Sequence, residues 1–326
     1  MKSDCYTHQE DIILECDQKL SGVKIAYSTY GQLNEKRDNV IYVCHALTAN
    51  ADVKDWWPDM VGDGQIFDTS RYFVVCANVL GSCYGTTGPT ETDPATNKKY
   101  GIDFPPVTIR DIVKLHQLLA RHLKISSIEL VCGGSLGGQQ AMEWAISEPG
   151  FIKKLFVIAT NARHSAWGIA FNEAQRMAIA AGEKGLEAAR AIAMLSYRNY
   201  HMYNETQTDA DERTDNFSAA NYQRYQGEKL SKRFDTDSYV ILSRAMDSHH
   251  VGRGRNSLES ALNQIKAKTL VTGVTSDLLF PLAEQQFLAK HIPGAVYTEI
   301  DSRYGHDGFL VETKAISGLL KQHLNL

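Results

Sequence analysis

The chain has 326 residues, of which 43% are hydrophobic and 22% charged. These proportions support a packed core and exclude disorder, collagen-like repeats and low complexity as the main state. A net charge of −4 argues against binding driven by nucleic-acid phosphates, and no run of about 18 apolar residues is present to span a membrane.

The opening segment, MKSDCYTHQEDIILEC, is acidic and has no long apolar stretch, so neither a signal nor a transit peptide is expected. The six cysteines (Cys5, Cys16, Cys44, Cys76, Cys83 and Cys132) form no C-x-x-C pair. With no export signal they read as buried, reduced thiols of a cytoplasmic protein. No H-E-x-x-H and no P-loop pattern occurs, so neither a metal nor a bound cofactor is expected.

In chain order, Val40–Cys44 and Tyr72–Ala77 are near-continuous apolar runs, as in strands covered on both faces. A helix follows from Ile109, with Thr108 as its N-cap, on the spacing of Ile109, Ile112, Val113, Leu115, Leu118 and Leu119. Next come a strand at Ile128–Cys132, a helical run at Gln139–Ser147 and a strand at Leu155–Ile158. Strand signal then fades between about Ala162 and Gly254. Phe171–Ala181 and Gly185–Leu195 are Ala-rich and helical. Asn204–Asn216 is polar and acidic, and reads as a solvated loop. Strands resume at Thr269–Thr272 and Val296–Ile300, and a helix runs from Phe309 to about Leu324. Alternating strand and helix predicts an α/β fold with a mostly parallel sheet. Residues 1–161 and 255–326 form its core domain, and 162–254 form a helical insertion over the carboxyl edge of the sheet.

The strongest local signal is Gly133-Gly134-Ser135-Leu136-Gly137, a G-x-S-x-G between a strand and a helix. That context fits a nucleophile elbow, where small flanking residues let a serine sit on a sharp turn. Ser135 also falls at a helix N-terminus, whose dipole favours negative charge. Such a serine needs a base and a group to orient the base. Asp277 lies just past the strand Thr269–Thr272. His306 lies in a Gly-His turn between the last strand and the last helix. Asp301 competes with Asp277 but is only five residues from His306. The backbone N–H groups of Leu136 and Leu47, the latter in the loop after Val40–Cys44, are the expected oxyanion donors. His45, standing alone, reads as structural rather than metal-binding.

With these residues placed, the sequence resembles the homoserine O-acetyltransferase family of α/β-hydrolase-fold acyltransferases. The resemblance rests on CHALTAN (Cys44–Asn50), DTSRYFVVCANVLGSCYGTTGP (Asp68–Pro89) and YGIDFPPVTIRDIV (Tyr100–Val113), and on GGSLGGQQAMEWA (Gly133–Ala145), AFNEAQRMAI (Ala170–Ile179) and YGHDGFLVE (Tyr304–Glu312). It implies the α/β-hydrolase fold with a helical lid and a triad of Ser135, Asp277 and His306. It further implies substrate-binding roles for Arg190, within Gly185-Leu186-Glu187-Ala188-Ala189-Arg190, for Tyr197 and for Asp307. A guanidinium suits an amino acid's carboxylate, and a carboxylate suits its ammonium. The implied reaction is ping-pong transfer of acetyl from acetyl-CoA, a co-substrate, to the hydroxyl of L-homoserine, for methionine biosynthesis. A homodimer through the lid helices is also implied, with small-molecule substrates and neither nucleic acid nor membrane as partner. The triad itself leaves succinyl transfer, serine as acceptor and an esterase or thioesterase open, because all share an acyl-enzyme.

Overall fold

The computed structural model describes residues 1–326. Eight strands form the central sheet: β1 (Lys2–Thr7), β2 (Lys24–Tyr30), β3 (Val40–Cys44), β4 (Phe73–Ala77), β5 (Ile128–Gly134), β6 (Ile152–Ile158), β7 (Lys268–Val274) and β8 (Val296–Ile300). Their order across the sheet is β1-β2-β4-β3-β5-β6-β7-β8. Strand β2 runs antiparallel to β1 and β4, and the remaining pairs are parallel.

Strand β3 shows why these runs form the centre. Val40, Tyr42 and Cys44 enter one apolar cluster and Ile41 and Val43 the other, so successive side chains bury on opposite faces of the sheet. All five are at most 1% exposed. Each fully buried large apolar side chain contributes roughly 1.5–3 kcal/mol.

The helix α1 (Ile109–His122) starts at Thr108, whose hydroxyl accepts from the N–H of Asp111 while the Asp111 carboxylate accepts from the N–H of Thr108. This reciprocal cap satisfies two otherwise unpaired donors. Helix α2 (Leu136–Ser147) follows β5 directly. Between β6 and β7 lie five helices of eight residues or more: α3 (Ala166–Ala180), α4 (Gly185–Tyr197), α5 (Tyr200–Gln207), α6 (Ser218–Ser231) and α7 (Thr236–Asp247). Helix α8 (Leu282–His291) follows β7, and α9 (Thr313–Leu324) ends the chain. No helix is long and apolar enough to cross a membrane.

Two strands went unread, and three expectations need correction. Strands β1 and β2 gave no clear apolar run; β1 is an edge strand that is exposed along most of its length. The polar run from Asn204 is helical as far as Gln207, because the Asn199 side chain caps α5 by accepting from the N–H of Met202. The final helix is broken at Glu312, which leaves a short turn at Gly308–Val311 before α9. Of the cysteines, only Cys44, Cys76 and Cys132 are buried; Cys83 is half-buried, and Cys5 and Cys16 are exposed.

Candidate active site

Parallel pairing brings the carboxyl ends of β3, β5, β6, β7 and β8 to one edge of the sheet. Cys44 pairs with Gly133, Ile158 with Gly134, Ile158 with Thr272 and Val274 with Ile300. The loops leaving those ends carry Leu47, Ser135, Asp277 and His306.

Ser135 sits at φ 56° and ψ −127°, a conformation that side chains other than hydrogen rarely adopt. The turn is held from several sides. The N–H of Ser135 donates to the carbonyls of Ile158 (3.1 Å) and Ala159 (3.2 Å), and its own carbonyl accepts from the Thr160 hydroxyl (2.8 Å). A Cβ on Gly137 would lie 2.1 Å from the Cys44 carbonyl oxygen, and one on Gly133 would lie 2.4 Å from the Gly137 carbonyl carbon. Glycine at these positions therefore lets α2 start hard against β3, with its N-terminus directed at the serine.

His306 is buried, and its Nδ1 lies 2.7 Å from Oδ2 of Asp277. The other oxygen of Asp277 accepts from the N–H groups of Leu279 (2.8 Å) and Phe280 (2.9 Å). Three charge-assisted bonds thus fix the carboxylate, and the carboxylate fixes the imidazole. The ring of Phe280 stacks on His306 at 5.0 Å, with Phe309 at 5.1 Å and Tyr197 at 5.6 Å. Asp301 instead accepts from the Thr275 hydroxyl.

Ser135 and His306 open into one cavity of about 300 Å³. Leu47, Arg190, Tyr197 and Asp307 line it as well, so six of the eight residues singled out in the sequence meet there. Asp277 stands behind His306, and Leu136 is the buried first residue of α2. The Arg190 guanidinium lies 5.3 Å from the centre of the Tyr197 ring, within cation–π reach. Burial pushes the Tyr197 phenol up from its ordinary value. Asp307 forms an ion pair with Arg198 at 3.1 Å.

His45 is fully buried. Its Nε2 accepts from the N–H of Val79 (3.1 Å), which leaves Nδ1 to donate to the Ala46 carbonyl (2.9 Å). Desolvation pulls its pKa down to about 4. The neutral ring ties the loop carrying Leu47 to the loop after β4.

Sequence reasoning missed six polar or aromatic residues of the cavity: Thr48, Asp55, Trp56, Lys229, Arg233 and Phe309. Arg233, just past α6, donates to the Thr48 carbonyl (2.6 Å) and the Tyr84 hydroxyl (2.8 Å). It thereby joins the helical segment to the Leu47 loop. No spacing pattern marks it, because its partners lie far away in the sequence.

Residues 39–313 match the family model described as alpha/beta hydrolase fold, so the chain is an α/β-hydrolase-fold protein. A homoserine O-acetyltransferase from Cyclobacterium marinum is 45% identical over 332 residues, spanning 98% of this chain and 95% of its own. A homoserine O-acetyltransferase from Chlorobaculum tepidum is 45% identical across 97% of this chain and 92% of its own. The crystal structure of homoserine O-acetyltransferase from Bacillus anthracis superposes with a TM-score of 0.90 at 25% identity, covering 100% of this chain and 98% of that one. The chain belongs to the homoserine O-acetyltransferase family.

Proposed function

We propose that the protein transfers the acetyl group of acetyl-CoA to the side-chain hydroxyl of L-homoserine, giving O-acetyl-L-homoserine for methionine biosynthesis. The observation that carries this reading is a single cavity. It combines a serine on a strained turn and a carboxylate-held histidine with an arginine and an aspartate suited to an amino acid's two charges.

In the first half-reaction His306 takes the Ser135 proton as Oγ attacks the thioester carbonyl. Asp277 holds Nδ1–H, so Nε2 is left as the base, and it stabilises the imidazolium that forms. The N–H groups of Leu136 and Leu47 receive the oxyanion, an effect worth roughly 3 kcal/mol per donor in comparable sites. The tetrahedral adduct collapses, the imidazolium protonates the departing thiolate, and acetyl-Ser135 remains. In the second half-reaction the homoserine carboxylate pairs with Arg190 beside Tyr197, and its ammonium pairs with Asp307. His306 removes the hydroxyl proton, the oxygen attacks the acetyl carbon, and Ser135 leaves with the proton returned.

Water competes with the acceptor for the acyl-enzyme. In this reading residues 162–254 act as a lid over the core formed by 1–161 and 255–326 and limit water's access. The Arg233 bonds to the Leu47 loop support that role. A cavity of about 300 Å³ has room for an amino acid and an acetyl group, so the nucleotide end of the donor stays outside. The protein acts as a cytoplasmic homodimer joined through the lid helices. Trp167, Met177, Leu195 and Tyr225, all exposed apolar side chains on those helices, support this arrangement.

The test is thiol release from acetyl-CoA with L-homoserine, with L-serine or with no acceptor, repeated with succinyl-CoA. Strong stimulation by homoserine with the acetyl donor alone is expected. Equal release without acceptor would refute transfer in favour of hydrolysis. Ser135→Ala should form no acetyl-enzyme by mass spectrometry, and an acetylated variant would remove Ser135 as nucleophile.

A further inference from the structure

Arg190 and Asp307 face the same small cavity with opposite charges, yet they form no ion pair with each other. Two such groups beside one another would normally close together and cancel the site's ability to bind a zwitterion. Each is held elsewhere. Arg190 lies over the Tyr197 ring. Asp307 is engaged through Oδ2 by Arg198, at 3.1 Å, and both side chains of this pair are largely buried.

The backbone carrying Arg198 is fixed against the histidine loop. Gly305 has φ +64°, and a Cβ there would lie 2.7 Å from the Tyr197 carbonyl oxygen and 3.0 Å from the Arg198 carbonyl carbon. The Asn199 side-chain amide donates to the Arg303 carbonyl (2.8 Å), and Arg303 pairs with Glu205 of α5. The end of α4 is therefore strapped to the loop that presents His306 and Asp307.

We propose that Arg198 is a positioning residue for the acceptor: it occupies one oxygen of Asp307, keeps that carboxylate from pairing with Arg190, and leaves the second oxygen for the acceptor's ammonium. The proposal rests on the acyl-transfer reading for the identity of that acceptor. It adds that two of the site's charges are kept apart by a third residue outside the cavity lining. Arg198 has no part in acylation, because neither Ser135 nor the oxyanion donors depend on Asp307.

The test is calorimetric binding of L-homoserine to otherwise unaltered protein and to Arg198→Gln, alongside both half-reactions. We expect binding weakened tenfold or more and the KM for homoserine raised to match. Acetyl-enzyme formation from acetyl-CoA should stay within twofold. Arg198→Lys should restore part of the affinity. In an Asp307→Asn background, Arg198→Gln should cost little more, whereas a merely structural arginine would cost the same in both backgrounds. Unchanged homoserine affinity, no binding to either form, or slowed acylation to the same degree would overturn the proposal. Weakened binding without homoserine-stimulated turnover would keep the role of Arg198 and defeat the acyl-transfer reading instead.

Discussion

Replacing Asp277 by asparagine tests the base assignment with little change in volume. One Asp277 oxygen accepts from two backbone N–H groups, at 2.8 and 2.9 Å, and the other faces His306 Nδ1 at 2.7 Å. An asparagine must point its oxygen at the two N–H donors, since its NH₂ there would leave them unpaired. The NH₂ then faces Nδ1, which becomes an acceptor, and the imidazole proton moves to Nε2. A histidine in that tautomer cannot take the Ser135 proton. The same substitution in a serine protease triad lowers turnover about 10⁴-fold, or about 5 kcal/mol in barrier height. We expect a loss of that order in the rate of acetyl-enzyme formation, read by rapid-quench mass spectrometry, with an unchanged melting temperature. A variant that acylates within tenfold of the parent rate would refute the argument that Asp277 sets the tautomer.

Two further outcomes concern the scaffold. His45, His116 and His164 have pKa values pulled down to about 4, and His249 to about 3, all mainly by burial. The unfolded chain protonates these groups near 6.5, so stability is fully present above that pH and falls as the pH drops toward 4, by about 3 kcal/mol per histidine. Glu284, raised by burial to about 7, acts in the opposite sense and offsets roughly one of the four. Thermal melts should therefore drop steeply between pH 6.5 and 4, and a flat profile would contradict the buried neutral rings. Gly137→Ala sets a methyl group 2.1 Å from a backbone oxygen that cannot move aside, and should cost about 3 kcal/mol or more in urea unfolding. A melt equal to the parent's would mean that α2 does not need its close approach to β3.

Legibility in the sequence followed runs of apolar and β-branched residues rather than burial alone. Strands β3 to β7 bury side chains on both faces or nearly so and stand out as apolar runs, whereas edge strand β8, VYTEI, buries only Ile300 and is marked by its β-branched residues. Strand β1, KSDCYT, is exposed along an edge and carries no such imprint. Antiparallel β2, KIAYSTY, is buried along most of its length, but its Tyr, Ser and Thr break the apolar run that would mark it. At the site, Ser135, Asp277 and His306 were legible because each follows a strand end with its own local punctuation. Arg190, Tyr197 and Asp307 came only through family resemblance; without it Arg190 reads as any helix arginine. Arg198 and Arg233 were invisible, since each is defined by a partner more than 100 residues away in the chain.

The cavity draws on side chains from Ala46 to Leu310, contributed by β-strand loops and by helices between β6 and β7, and so spread over most of the chain. No early fragment can therefore carry the chemistry. A growing polypeptide could form the serine turn once β3, β5 and β6 had emerged, but that serine would have no base. His306 follows Ser135 by 171 residues, so in the proposed mechanism the base reaches the serine only after all of that intervening chain has been made. A prematurely stopped chain would then be inert toward thioesters, whatever part of the sheet it had already built.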